Sequence, residues 1–310
     1  MVLNHALFTN NFSYRNKGMV MMDNNFYNNI ISLLCRSDIR FCTTDIRKVE
    51  YNGKEANVSM ICSDVLNFGP TKLSKTPAIS CLTVFTLFDA YLENKYSMVP
   101  GMSFKQRYNK LPSSTNQNII ERECYRLMKT IRNGFVHNIN AIVSSNNTFN
   151  FNYKSPKGTV FNLDISSDKL ELLYSIILIL VRGKYEIATK GHFQNVICTY
   201  YSDLKDYIDI DGNFMDDGDR GLGSVSSFKL MPISPYVRLN TVVRYPVINP
   251  SYDISEDRVT IKSIYNPGYE CYSADYCVKY NNKEYIIPQE ILDGNNSVYI
   301  SDLSIWKFDK

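Results

Sequence analysis

The sequence is poor in histidine and nearly free of net charge: three His, at positions 5, 137 and 192, stand among 310 residues, and the formal charge is +3. With so few imidazoles, chemistry that moves protons near neutral pH has few candidates. A balance this close to zero does not announce a nucleic-acid binder, so any electrostatic argument rests on local distribution. No C-x-x-C pair exists among the eight Cys (35, 42, 62, 81, 124, 198, 271 and 277), and several of them lie in apolar helical patterns, where a thiol acts as a small hydrophobe. That usage fits a reducing compartment. The start of the chain has no basic stretch followed by an apolar one, so no signal peptide is expected. The longest apolar run, residues 172–181, is too short to cross a bilayer. These absences lead to the expectation of a cytoplasmic protein with no membrane partner.

With 44% hydrophobic residues the chain can bury a core in each of two domains. The first twenty residues are polar and read as a loose arm. A first helix is expected over about 24–36, followed by a small hairpin whose turn signal is Asn52-Gly53. Thr76-Pro77 opens a strong helical pattern running to about Tyr96, with Asp89 and Glu93 one turn apart. These two carboxylates are read as a solvated edge or as partners of a cation on a neighbouring helix. Residues 97–114 read as a loop, and a second hairpin turns at Ser155-Pro156-Lys157-Gly158. Ser166 or Ser167 caps a helix apolar around most of its circumference, and a further helix spans about 186–206 with His192 on it, read as a surface or satisfied residue. Beyond an acidic, glycine-containing connection, the chain to Lys310 is rich in short β-like runs. The expected division is therefore residues 1–208 helical with hairpin insertions, 209–223 linker, and 224–310 a small β-rich module, an α+β protein.

The most informative stretch is Asn116 to Asn140. At about 100° per residue, Ile120, Cys124, Leu127, Met128, Ile131 and Phe135 share one face, while Arg122, Arg126, Lys129, Asn133 and His137 share the other. Ser113, Ser114 and Thr115 supply N-cap hydroxyls. The helix ends in Arg132-Asn133-Gly134-Phe135-Val136-His137. Arg and His together can cleave RNA without a metal, because RNA carries its own 2′-hydroxyl nucleophile. The site then needs a proton acceptor, a donor for the leaving 5′-oxygen and a cation for the phosphorane charge. Arg132 and His137 lie five residues apart, about 140° around an ideal helix. One helix alone thus converges them poorly, and the expected remedies are a distorted last turn eased by Gly134 or a two-fold dimer.

The R-N-x-x-x-H pattern resembles the signature of the HEPN family, the higher-eukaryote and prokaryote nucleotide-binding helical domains, in which R-x(4 to 6)-H closes a long helix. The flanking LFDAYLENKY helix and the apolar helix that follows suit such a bundle. The resemblance implies an endoribonuclease producing 2′,3′-cyclic phosphates, with His137 as acid or base, Arg132 as phosphate stabiliser and Asn133 orienting. Arg122, Arg126 and Lys129 would guide RNA, and Asp89 and Glu93 would stand behind Arg132. It further implies a homodimer with a composite site, no cofactor, and a toxin or antiviral-defence role restrained by an antitoxin or regulatory protein. The competing expectation is a non-catalytic protein of the same architecture that binds RNA or a protein partner and dimerises. No metal site is expected: Asp209, Asp211 and Asn213 begin like an EF-hand loop, but Phe214 stands where the turn needs Gly.

Overall fold

The computed structural model describes residues 24–42, 44–52, 55–61, 69–99, 101–137, 142–145, 147–154, 160–183, 189–206, 209–212, 236–268 and 271–308. The expected N-terminal arm, the Ser155–Gly158 turn and the glycine-containing connection at 213–223 lie outside these residues.

In chain order the elements are α1 (Asn24–Cys35), β1 (Asp45–Asn52), β2 (Glu55–Ile61), α2 (Pro77–Lys95), α3 (Phe104–Lys110), α4 (Asn116–His137), β3 (Ile142–Ser145), β4 (Thr148–Lys154), β5 (Val160–Ser166), α5 (Ser167–Arg182), α6 (Lys190–Asp206), β6 (Asp209–Gly212), β7 (Val243–Ile248), β8 (Tyr252–Ile254), β9 (Arg258–Ile261), β10 (Tyr272–Tyr280), β11 (Lys283–Pro288) and β12 (Ser297–Tyr299). Short 3-10 turns, Gln289–Ile291 and Ile300–Trp306, flank β12. The mixture of helices and mixed or antiparallel sheets is an α+β arrangement.

Helix starts follow local chemistry. Pro77 holds the first position of α2, while the Thr76 hydroxyl turns back to the Leu73 carbonyl, 3.2 Å away, instead of capping. Ser166 Oγ accepts from the Lys169 amide and caps α5. Thr115 Oγ1 accepts from the Asn118 amide at the start of α4. The stretch expected as a loop contains α3, closed at its N-terminus by a reciprocal pair between Ser103 and Gln106. Helix α5 is buried as expected, from Leu170 to Leu180, and forms one cluster with Leu87 and Phe88 of α2, Leu127 and Ile131 of α4, and Val196 and Tyr201 of α6.

The sheets depart from the expected division. Hairpin β1–β2 pairs with the C-terminal half, β1 lying parallel to β7 from Asp45↔Val243 to Glu50↔Ile248, and the five-stranded order is β11-β10-β7-β1-β2. An isolated hairpin is marginal in water, so the Ile46 and Val49 side chains find their cover in a larger sheet. Residues 209–212, expected as the start of the linker, form β6 and pair with β5. Strands β10 and β11 fold back on each other at Asn281-Asn282, both with positive φ (48° and 59°), the backbone that a tight hairpin turn requires.

The two halves meet through a buried polar cluster. Arg244 on β7 and Asp275 on β10 form a forked pair, Nε to Oδ2 at 2.8 Å and Nη2 to Oδ1 at 2.5 Å, with both side chains fully buried. His192 of α6 is also fully buried, with Nε2 2.8 Å from Asp275 Oδ1 and Nδ1 2.5 Å from Thr189 Oγ1, so it is a satisfied interior residue. Glu290 completes the cluster by accepting from Arg244 at 2.8 Å. Burial alone would push the Asp275 carboxyl up, but the Arg244 guanidinium and His192 outweigh it and hold it well below the usual carboxylate range. A carboxylate depressed in the folded state stabilises the protein above the unfolded carboxyl range, near pH 4, and that contribution fades as pH falls further. Asp275→Asn should therefore cost about 3–5 kcal/mol at neutral pH by stranding Arg244. It should also flatten the loss of stability below pH 4. Urea unfolding of both proteins across that range is the check, and equal acid limbs would contradict the assignment.

Candidate active site

Helix α4 is set among α2, α3, α5 and α6, and its expected apolar face is buried without exception. The opposite face is less open than the pattern implied, because Glu121, Glu123 and Arg126 are buried as well. Glu121 is held by Lys95 Nζ at 2.5 Å and Gln117 Nε2 at 3.0 Å, and also by the Tyr91 and Tyr96 hydroxyls. Glu123 accepts from the Tyr108 hydroxyl at 3.0 Å and lies 2.8 Å from Arg126 Nη2. Burial raises the Glu123 carboxyl, opposed by Arg126 and Tyr108.

Arg126, expected to guide RNA, is thus an interior partner of Glu123. Arg122 and Lys129 are half-buried, each beside an aromatic ring: Arg122 Cζ lies 4.3 Å from the centre of Tyr108 and Lys129 Nζ 4.2 Å from that of Phe104. Both rings belong to α3, and the reading of 97–114 as a loop missed them. Their signal was present as aromatic residues four apart, Phe104 and Tyr108, in a basic stretch. Asp89 and Glu93 do hold a neighbouring cation, but it is Arg107 of α3 rather than Arg132. Arg107 Nη1 is 2.9 Å from each Asp89 oxygen and pairs with Glu93, and the Tyr125 hydroxyl donates to Asp89 at 2.6 Å.

At the end of α4 three of the expected residues come together within one chain. Arg132 Nη1 donates to Asn133 Oδ1 at 2.9 Å and lies 3.2 Å from His137 Nε2, and His137 is exposed. A guanidinium has donors only, so this contact is a hydrogen bond when Nε2 lacks a proton, which puts the imidazole proton on Nδ1. Phe85 of α2 lies under the guanidinium, 6.0 Å from its centre, and Arg132 Nε is buried with no partner among the described residues.

The expected distortion of the last turn is absent, since α4 stays α-helical through His137. The length of the Arg side chain spans the angular gap, so a second copy is not needed to bring the two groups into contact. Gly134 serves packing instead. A Cβ there would lie 2.4 Å from Phe151 Cδ1, and Phe151 is buried against Phe135, ring centres 5.1 Å apart. Absence of a side chain lets β4 approach α4 beside the Arg–His pair.

Among the described residues no group of three or more His, Cys, Asp or Glu is placed to hold a metal, and no helix is long and apolar enough to cross a membrane. No protein-family model matches the chain, and neither does any curated protein or solved structure compared with it. The site joins an exposed imidazole, a partly buried guanidinium and a carboxamide at one helix end, an arrangement able to exchange a proton beside a bound anion.

Gly134→Ala should destabilise the fold by about 1–3 kcal/mol through overpacking against Phe151, despite Ala being the better helix former. Gly134→Ala combined with Phe151→Leu should recover part of that loss. Chemical denaturation measures both, and an Ala variant as stable as the parent would show that the approach of β4 does not depend on the glycine.

Proposed function

We propose that this chain is a metal-independent endoribonuclease of HEPN type. His137 acts as general base or acid, Arg132 stabilises the charge on the phosphate, and Asn133 orients Arg132. The supporting observation is the 3.2 Å contact between Arg132 Nη1 and His137 Nε2 at an exposed helix end. An unprotonated Nε2 can take the proton of a 2′-hydroxyl. The oxygen then attacks the adjacent phosphorus, the bond from phosphorus to the 5′-oxygen breaks with that oxygen taking a proton from solvent water, and a 2′,3′-cyclic phosphate results, His137 keeping the proton of the 2′-hydroxyl until it is lost to solvent. Arg132 suits the phosphorane because a planar guanidinium can donate two hydrogen bonds to two oxygens at once. Arg122 and Lys129, lying back along α4, are the cations this reading assigns to the RNA backbone, which makes binding sensitive to salt.

The protein is further read as a homodimer joined near the ends of α4, where Val136 is exposed beside His137. Each protomer would then bring its own Arg–His pair. A monomeric mass for the active species would remove the dimer and leave the chemistry standing. An unregulated ribonuclease harms its own cell, so the reading includes a toxin or antiviral-defence role and a restraining partner.

Incubation with total RNA in EDTA tests the proposal. Wild type should cut, His137→Ala should fall by about 10²–10⁴-fold and Arg132→Ala by about 10²–10³-fold, with folding stability changed by less than about 0.5 kcal/mol for His137→Ala. Expression of the wild type, but not of His137→Ala, should slow growth. RNA that binds but is never cut would favour the non-catalytic reading, and undiminished cutting by His137→Ala would overturn the assignment.

A further inference from the structure

A row of aromatic rings accompanies the cations of α4. Phe85 of α2, Tyr125 of α4, and Phe104 and Tyr108 of α3 follow one another with ring centres 6.0, 5.2 and 5.8 Å apart and planes inclined by only 6°, 28° and 25°. These are the spacings of offset stacking, so the four rings form one ladder across three helices. Its two buried rungs are also fixed by their hydroxyls, Tyr125 to Asp89 at 2.6 Å and Tyr108 to Glu123 at 3.0 Å. Three side chains of α4 lie against this ladder in order. Arg132 Cζ is 6.0 Å from the centre of Phe85, Lys129 Nζ 4.2 Å from that of Phe104, and Arg122 Cζ 4.3 Å from that of Tyr108. The first contact is at the outer limit of cation–ring attraction and the other two are well inside it.

Helix spacing accounts for that order. Positions 122, 129 and 132 fall within about 80° of arc on α4, and the ten residues between the ends rise about 15 Å, so the three cations make one stripe. Fifteen ångströms is roughly the rise of four to five stacked nucleotides. All three side chains, like Phe85 and Phe104, are half-buried, so part of each still meets solvent.

A ring differs from a carboxylate as a support. Asp89 and Glu93 neutralise Arg107, and Glu123 neutralises Arg126, whereas a ring face attracts a cation and leaves its charge in place. It also confines a long side chain beforehand, and that rotamer freedom no longer has to be given up when an anion binds. We propose that Phe85, Phe104 and Tyr108 are positioning residues, which hold Arg132, Lys129 and Arg122 in line for the successive phosphates of one nucleic-acid strand. The inference rests on the reading of α4 as an RNA-binding helix and not on cleavage.

Fluorescence anisotropy with a labelled oligouridylate longer than the stripe, on the full chain carrying His137→Ala so that the strand stays intact, tests it. Phe104→Leu should weaken binding about two- to fivefold, the size of one partly exposed cation–ring contact. Lys129→Ala should weaken it further and lower the salt dependence by about 0.7 in log–log slope, the value for one phosphate contact on a single strand. In the Lys129→Ala background Phe104→Leu should then have no added effect, because the ring acts through the ammonium. Phe104→Tyr, which keeps the ring face, should bind like the parent. Phe85→Leu paired with Arg132→Ala makes the same cycle and serves if the Phe104→Leu protein does not fold. A loss from Phe104→Leu of equal size with and without Lys129 would make the ring a packing residue and overturn the proposal. So would folded variants that bind as tightly as the parent, or a parent that binds no strand. Binding by a chain whose wild type never cuts would uphold the ladder while removing the nuclease reading.

Discussion

Two carboxylates buried on α4 constrain everything around that helix. Glu121 and Glu123 are fully covered, and a carboxylate removed from water is tolerated only when its oxygens are paired and hydrogen-bonded. Lys95, Tyr91 and Tyr96 at the end of α2 and just beyond it answer Glu121, while Tyr108 of α3 and Arg126 answer Glu123. These partners fix α2 and α3 against the first half of α4. Asp89, drawing in Arg107 and Tyr125, ties the same three helices together one level further along. A helix fastened so firmly over its first three turns can present its last turn to solvent in a defined position, and the last turn carries Arg132, Asn133 and His137.

A second buried charge cluster does for the whole chain what Glu121 and Glu123 do for α4. The Arg244–Asp275 pair joins two neighbouring parallel strands, and His192 carries the contact across to α6. Trp306 then returns the C-terminal turn to the helical core, packed edge-on against His192 at 5.1 Å. The two halves share polar interior contacts as well as apolar ones.

Much of this was legible in the sequence wherever the determining contacts are local. The apolar face of α4, the Pro77 start of α2, the Ser166 cap and the burial of most of the circumference of α5 are read correctly from spacing and capping chemistry, because residues three and four apart are neighbours on a helix. Pairing between Asp45 and Val243 could not be read that way, since nothing in a local pattern names a parallel partner from the far end of the chain. Periodicity also misjudged Arg126: it places a residue on a face but does not say whether another element covers that face, and α3 does. Of the two readings of His192, surface or satisfied, the structure shows the second, but its role as a link between halves depends on Asp275, remote in sequence. The angle of about 140° between Arg132 and His137 on an ideal helix separates their backbone positions, not the ends of their side chains. The guanidinium sits at the end of a long flexible stem, and it reaches the imidazole within one regular helix.

That contact is what the functional account rests on, and a cycle of cleavage rates for Arg132→Ala, His137→Ala and the double variant measures it most directly. If guanidinium and imidazole serve one phosphate together, the double variant should be scarcely slower than the worse single one, because removing either group already disables the unit. Losses that multiply as independent factors, or a double variant that still cuts at the wild-type rate, would contradict it.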